Sequence, residues 1–228
     1  MKTIGIITAR GGSKGIKGKN LREVAGLPLI HWTVKAALAA ETLDRVVLSS
    51  DDEEIIGSAE SAGCEAPFRR PAELAGDEVP TIDVIMHALD EIPGFDAAVV
   101  LQPTSPLREA SDIDACVRRV AGEGRPACCT VSRVHKSPNW MFTMDAAGEL
   151  DRYLKDEPMA LQRQKLAELY APNGAVYAVR TDFLRAERSF LAPGTVGVIM
   201  PERRSVDVDN EFDLEICDYM LRKREDKR

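Results

Sequence analysis

Between Arg10 and Arg22 the chain carries five cations and no acid. The run Arg10-Gly11-Gly12-Ser13-Lys14-Gly15-Ile16-Lys17-Gly18-Lys19-Asn20 sets most of them among glycines. Glycine lets backbone N–H groups approach an anion closely, and the cations neutralise it. A triphosphate needs both. By itself the stretch fits a solvated basic loop equally well. Two familiar phosphate motifs are excluded, because a Walker A ending at Gly18-Lys19 needs Gly at position 13 and Ser or Thr at position 20, where Ser13 and Asn20 stand. A dinucleotide fingerprint ending at Gly18 fails at Ser13 too.

A second group is Ser205-Val206-Asp207-Val208-Asp209-Asn210-Glu211. On an extended segment Asp207 and Asp209 project from one face. Paired carboxylates suit Mg²⁺, a hard cation that takes one or two of them and completes its shell from phosphates and water. Phe212 stands where an EF-hand loop requires glycine. The same residues also fit a helix cap at Asp209 or Asn210. The third group, Leu101-Gln102-Pro103-Thr104-Ser105-Pro106-Leu107-Arg108, follows a buried strand. Such a proline-stiffened polar turn can hold hydroxyl-recognising side chains, or simply join a strand to a helix.

The elements that must position these groups alternate. Residues 3–8, Arg45 to Ser50 and Ala97 to Leu101 read as buried strands. Pro28 to Ala40, Pro80 to Ile92 and Ser111 to Ala121 have helical apolar spacing, Pro28 suiting a first helical position. Asp51 and Asp52 open another helix, where the dipole favours carboxylates. Ala127 to Val134 and Asn173 to Val179 read as strands, and Asn210 to Arg222 as an amphipathic helix. This order predicts an α/β fold: a doubly wound, mainly parallel sheet, with its site beyond the strands' carboxyl ends. The chain reads as a single domain over 1–228 with an insertion at about 135–171, where Pro138, Trp140, Met141, Phe142 and Met144 break the rhythm. That insertion contains a helix-like segment from Ala160 to Leu169. Its apolar residues fit either a subunit contact or a peripheral hairpin over the core.

Composition narrows the class further. A formal net charge of −7 argues against a general nucleic-acid or anionic-membrane surface. Apolar runs such as Asp96 to Leu101 and Thr195 to Met200 have strand length, far short of a membrane span. The N-terminus enters a strand without a signal-peptide profile, so a cytoplasmic setting is expected. The five cysteines fit no zinc spacing and read as small apolar residues. His31 and His87 fall on helices and read as structural; His135 begins the insertion.

Together the segments ARGGSKGIKGKN (9–20), SSDDEEI (49–55), RPAELA (70–75), PTIDVIMHAL (80–89), LQPTSPLR (101–108), PNGAVYAV (172–179) and SVDVDNEFDL (205–214) resemble the acylneuraminate cytidylyltransferase family. That family includes the CMP-sialic acid and CMP-legionaminic acid synthetases. The resemblance implies a Rossmann-like nucleotidyltransferase with a small dimerisation insertion, acting as a homodimer. It implies transfer of CMP from CTP to the anomeric hydroxyl of a nonulosonic acid, with Mg²⁺ as cofactor. Arg10, Lys14 and Lys19 would hold the triphosphate with the Gly11-Gly12-Ser13 backbone, and Asn20, Arg70 and Thr81 would lie near the cytidine. Gln102, Arg163, Asn173 and Tyr177 would meet the acidic sugar, and Phe190 would pack on its acyl group from the partner subunit. Asp207 and Asp209 would bind the metal, with Arg10, Lys14 and Asp209 catalytic. Ala171 stands where several relatives have Arg, and Asn139 and Trp140 where some carry Lys. These departures leave open which nonulosonic acid is the acceptor. The alternatives are a related enzyme using another acidic sugar such as Kdo or another nucleotide, and a non-catalytic nucleotide-binding module.

Overall fold

A computed structural model describes residues 1–12, 15–155, 162 and 166–225. In chain order the elements are β1 (Thr3–Thr8), β2 (Glu23–Val24), β3 (Leu27–Pro28), α1 (Leu29–Leu38), β4 (Arg45–Ser49), α2 (Glu53–Ser61), α3 (Thr81–Glu91) and β5 (Ala97–Leu101). There follow α4 (Ala110–Ala121), β6 (Ala127–Arg133), β7 (Phe142–Met144), β8 (Leu150–Arg152), β9 (Tyr170–Arg180), α5 (Thr181–Glu187), β10 (Val196–Ile199) and α6 (Glu211–Glu225).

Six strands form the main sheet in the order β10-β6-β9-β5-β1-β4. The pairs β1–β4, β1–β5 and β6–β10 are parallel, while β9 runs antiparallel to both neighbours. Alternation along the strands divides the core, since successive side chains point to opposite faces. Ile7, Val46, Leu48, Val99 and Leu101 pack beneath α1, α2 and α4. Ile4, Ile6, Val47, Ala98 and Val100 pack beneath α3 and α5. A third cluster joins Trp32, Leu107 and Val208 to Leu214, Cys217 and Leu221 of α6, covering the β2–β3 hairpin.

Element ends follow local chemistry. Asp52 caps α2 by accepting the Glu54 and Ile55 N–H groups at 2.8 and 3.1 Å. Pro28 precedes α1 as its cap rather than occupying its first turn. Half of the stretch from Ala160 to Leu169, expected as a helix, lies outside the described residues, and 166–169 are not helical. The insertion instead shows an antiparallel β7–β8 hairpin whose apolar residues face outward: Met144 is 70% and Leu150 64% exposed. Among the described residues, no side chain of β7 or β8 belongs to the core clusters. All five cysteines are buried and unpaired.

Parallel β1, β4 and β5 end at one edge of the sheet. The described segments after them, 9–12 with 15–20, 50–52 and 102–108, therefore converge there. Because β9 runs the other way, its beginning reaches that same edge. Val100 pairs with Tyr177, which places Pro172 to Gly174 just past the end of β5.

Candidate active site

A cleft of about 470 Å³ opens at this edge, lined by Arg10, Gly15, Lys19, Asn20, Arg70, Thr81, Gln102, Thr104, Asp207 and Asp209 among others. Its basic wall comes from the loop after β1. Gly18 takes a left-handed φ of +64°, after which a short turn buries Asn20. The Asn20 side-chain amide donates to the Arg10 carbonyl at 3.1 Å and fixes the loop's shape. Gly11 donates to Asp51 at 3.2 Å, and a Cβ there would sit 2.5 Å from Asp52. Ser13 and Lys14 lie outside the described residues.

Arg10 reaches across the cleft to the segment before α3. It pairs with Asp77 at 2.6 Å and donates to the Gly76 carbonyl at 2.9 Å. Arg70 lies deeper, its guanidinium bonded to the Ser49 hydroxyl and carbonyl at 3.1 and 2.5 Å. Burial lowers its pKa to about 10, Asp51 working against that and Arg10 with it. Thr81 opens α3 at the cleft.

The acidic wall is the segment before α6. Val208 donates to the Thr104 carbonyl at 2.8 Å, and its own carbonyl accepts the Lys19 ammonium at 2.7 Å. Lys19 also lies 3.8 Å from Asp209. The approach is close: a Cβ on Gly15 would stand 2.4 Å from the Asp209 carbonyl oxygen. Desolvation by the cleft walls raises the Asp207 carboxyl above the ordinary carboxylate range. A hydrogen bond to Thr104 and the charge of Lys19 work against that rise, and Asp209 adds to it. Asp207 and Asp209 thus face the cleft as like charges. Among the described residues no cluster of three or more His, Cys, Asp or Glu stands in metal-binding array.

Gln102, at the end of β5, lines this cleft and a neighbouring hollow of about 340 Å³ that also holds Tyr177 and Phe190. The Phe190 ring stacks against Tyr177 of its own chain, 5.7 Å between centroids. Asn173 is not in the cleft. It is buried in a β-bulge where β9 slips against β6. There Thr130 donates to its Oδ1 at 2.6 Å, and its Nδ2 donates to Ser205 at 2.9 Å. Its contribution is to tie the bulge to the segment leading into Asp207. Arg163 lies outside the described residues. His31 bonds to Ser58, His87 meets Phe68 edge to face, and His135 pairs with Glu202; none lines the cleft.

Sequence reasoning missed Asp77 and Thr104. Nothing in the composition of the 76–80 segment marks Asp77, whereas Thr104 sat within the turn already singled out. It also missed that Gly174, with φ +76°, lets backbone approach where a Cβ would meet Gln102 Oε1 at 2.9 Å and Asp207 Oδ2 at 3.4 Å.

An open α/β sheet with a basic, glycine-rich loop after its first strand and an acidic segment opposite defines a nucleotidyltransferase-like architecture. A cytidylyltransferase family model matches residues 4–205, so the chain belongs to the cytidylyltransferase family. It is 30% identical over 224 residues to an N-acylneuraminate cytidylyltransferase of Escherichia coli, covering 98% of this chain and 53% of that protein. It is 28% identical over 237 residues to a CMP-N,N'-diacetyllegionaminic acid synthase of Legionella pneumophila, covering 97% of each. The chain thus spans about half the length of the first relative and nearly all of the second. In fold it resembles a CMP:2-keto-3-deoxy-manno-octonic acid synthetase complexed with CTP, with a TM-score of 0.73, 18% identity and coverage of 98% of this chain and 100% of that one. It also resembles a 4-diphosphocytidyl-2C-methyl-D-erythritol synthase of Anaerococcus prevotii, with a TM-score of 0.64, 14% identity and 96% coverage of each. No helix among the described residues is long and apolar enough to cross a membrane.

Proposed function

We propose that the chain transfers CMP from CTP to the anomeric hydroxyl of an acidic nine-carbon sugar, as the names of its relatives suggest for them. The observation that carries this reading is one cleft in which Arg10, Lys19 and Arg70 face Asp207 and Asp209. A basic wall alone would serve a binding module. The opposed carboxylates give the cleft a second, cation-holding side that catalysis needs.

In the reaction the sugar hydroxyl gives up its proton to solvent as its oxygen attacks the α-phosphorus, the bond to the bridging oxygen breaks, and pyrophosphate leaves. Arg10 exchanges Asp77 for the triphosphate, and Lys19 with Lys14 neutralises charge building on the departing pyrophosphate. Such transfer depends mostly on positioning and charge neutralisation. The nucleoside lies toward Asn20, Arg70 and Thr81. The sugar takes the opposite end at Gln102 and Tyr177, with Arg163 and Phe190 contributing there.

The Asp207–Asp209 pair fits Mg²⁺: two oxygen donors on one face, one of them held above its ordinary pKa, a state that a divalent cation would relieve. When bound, Mg²⁺ neutralises phosphate oxygens and eases ionisation of the attacking hydroxyl. The outward apolar face of the 135–171 insertion supports a homodimer, and a cytoplasmic setting suits a CTP-using enzyme. The deciding experiment measures pyrophosphate release from CTP and Mg²⁺ with N-acetylneuraminic, legionaminic, pseudaminic and Kdo sugars in parallel. Release with one nine-carbon sugar is expected. Release with Kdo alone would move the acceptor class, and CTP binding without release from any sugar would favour a binding module.

A further inference from the structure

Arg108 closes the turn after β5 but lies behind the cleft rather than in its lining. Its residue is 1% exposed. Burying a cation without a tight counter-ion is costly, and a sequence gains nothing from it unless the directed donors matter. Here they are directed at neutral oxygens. One terminal nitrogen donates to the Ala175 carbonyl at 2.5 Å and the Gln102 carbonyl at 3.2 Å; the other donates to the Thr33 hydroxyl at 2.7 Å. Burial lowers its pKa to about 9, with Asp112 offsetting part of that.

Those acceptors belong to three different parts of the fold. Gln102 begins the turn and points its side chain into the cleft. Ala175 follows Gly174 in the β9 bulge. Thr33 fixes the guanidinium from α1. The same turn presents Thr104, which bonds Val208 through its carbonyl and Asp207 through its side chain. A neutral side chain of similar length could fill the space but could not bind two carbonyls and a hydroxyl at once.

We propose that Arg108 is a positioning residue: its buried guanidinium clamps the 102–108 turn to the β9 bulge, holding Gln102 directly and Asp207 through Thr104 at the sugar end of the cleft. The kinetic consequence rests on the CMP-transfer reading; the structural one does not.

Hydrogen exchange on the unliganded protein tests the clamp directly. In Arg108→Met, peptides covering 101–109 and 205–210 are expected to exchange about tenfold faster or more, while β1 and β4 keep their wild-type protection. Arg108→Lys, which keeps a cation but cannot span all three acceptors, should fall between. An even rise across the whole sheet would reduce Arg108 to a core residue, and an unchanged turn would overturn the clamp outright. If the methionine variant does not fold, Thr33→Val and Arg108→Lys carry the same comparison at smaller amplitude. With the sugar identified by pyrophosphate release, Arg108→Met should lower kcat/KM for that sugar by about 10²-fold, the scale expected of lost alignment. CTP affinity by calorimetry should stay within about threefold. Equal losses for both substrates would contradict the assignment. Silence from the wild type with every sugar would defeat the CMP-transfer reading while exchange still decides the clamp.

Discussion

The two walls of the cleft are built on opposite plans. The basic wall is a glycine-rich loop whose cations reach across the cleft, Arg10 resting on the half-exposed Asp77 and Lys19 on the carbonyl of the buried Val208. The wall around the turn after β5 is tied into the core: Arg108 beneath the turn, Asn173 inside the bulge, Thr104 holding Val208. A polyphosphate is recognised by charge, which tolerates small displacements and can be screened. A hydroxyl aimed at phosphorus is governed by angle and distance, which buried, hydrogen-bonded groups fix better than mobile surface charges.

The sharpest way to break that contrast is at the acidic wall. Asp209→Ala should lower turnover by about 10²–10³-fold, the range for losing one preorganised charged group, while circular dichroism stays native. Normal turnover would remove Asp209 from the site. Next comes the seam where the walls touch. In Gly15→Ala the new Cβ would meet backbone, the Asp209 carbonyl oxygen at 2.4 Å, so the walls must part. Turnover should drop by about 10²-fold, whereas an unchanged rate would show that the approach is not needed for catalysis.

The basic wall should respond more mildly. Asp77→Asn releases Arg10 from its ion pair. CTP should then bind about three- to fivefold tighter, since an exposed pair contributes under about 1 kcal/mol, and the gain should shrink with added salt. Weaker binding would mean that Asp77 orients Arg10 for the triphosphate instead of competing for it.

The smallest effect concerns stability. Folding raises the Asp207 pKa above 3.8, so the folded protein holds that proton more tightly than the unfolded chain. Ionising Asp207 therefore destabilises the metal-free fold, progressively as pH rises from 3.8 through the folded value. Asp207→Asn removes that penalty and should raise Tm by about 1–2 °C at pH 7, with the advantage vanishing in acid. A lowered Tm at neutral pH would show that the Thr104 hydrogen bond outweighs the desolvation.

Much of this was legible in the chain before folding. Strands such as Ala97–Leu101 are continuous apolar runs of strand length, and the helix at Glu53 is announced by the Asp52 cap. The cation-glycine loop and the Asp207-Val208-Asp209 alternation are local patterns too, because glycine freedom and strand periodicity act within a few residues. Hence the loop, the paired carboxylates and the turn could be identified as candidates, although each also fitted a bland structural role.

What the sequence by itself determined, then, is which short segments carry charge, freedom or period, since those properties belong to the residues and their immediate neighbours. Tertiary structure alone decided that β9 runs antiparallel and brings Gly174 to the cleft. It alone turned Asn173 inward, set Arg10 on Asp77 and buried Arg108 between a strand, a helix and a turn. Those outcomes join residues dozens of positions apart. They depend on which polar groups lose water together, and no local pattern records that.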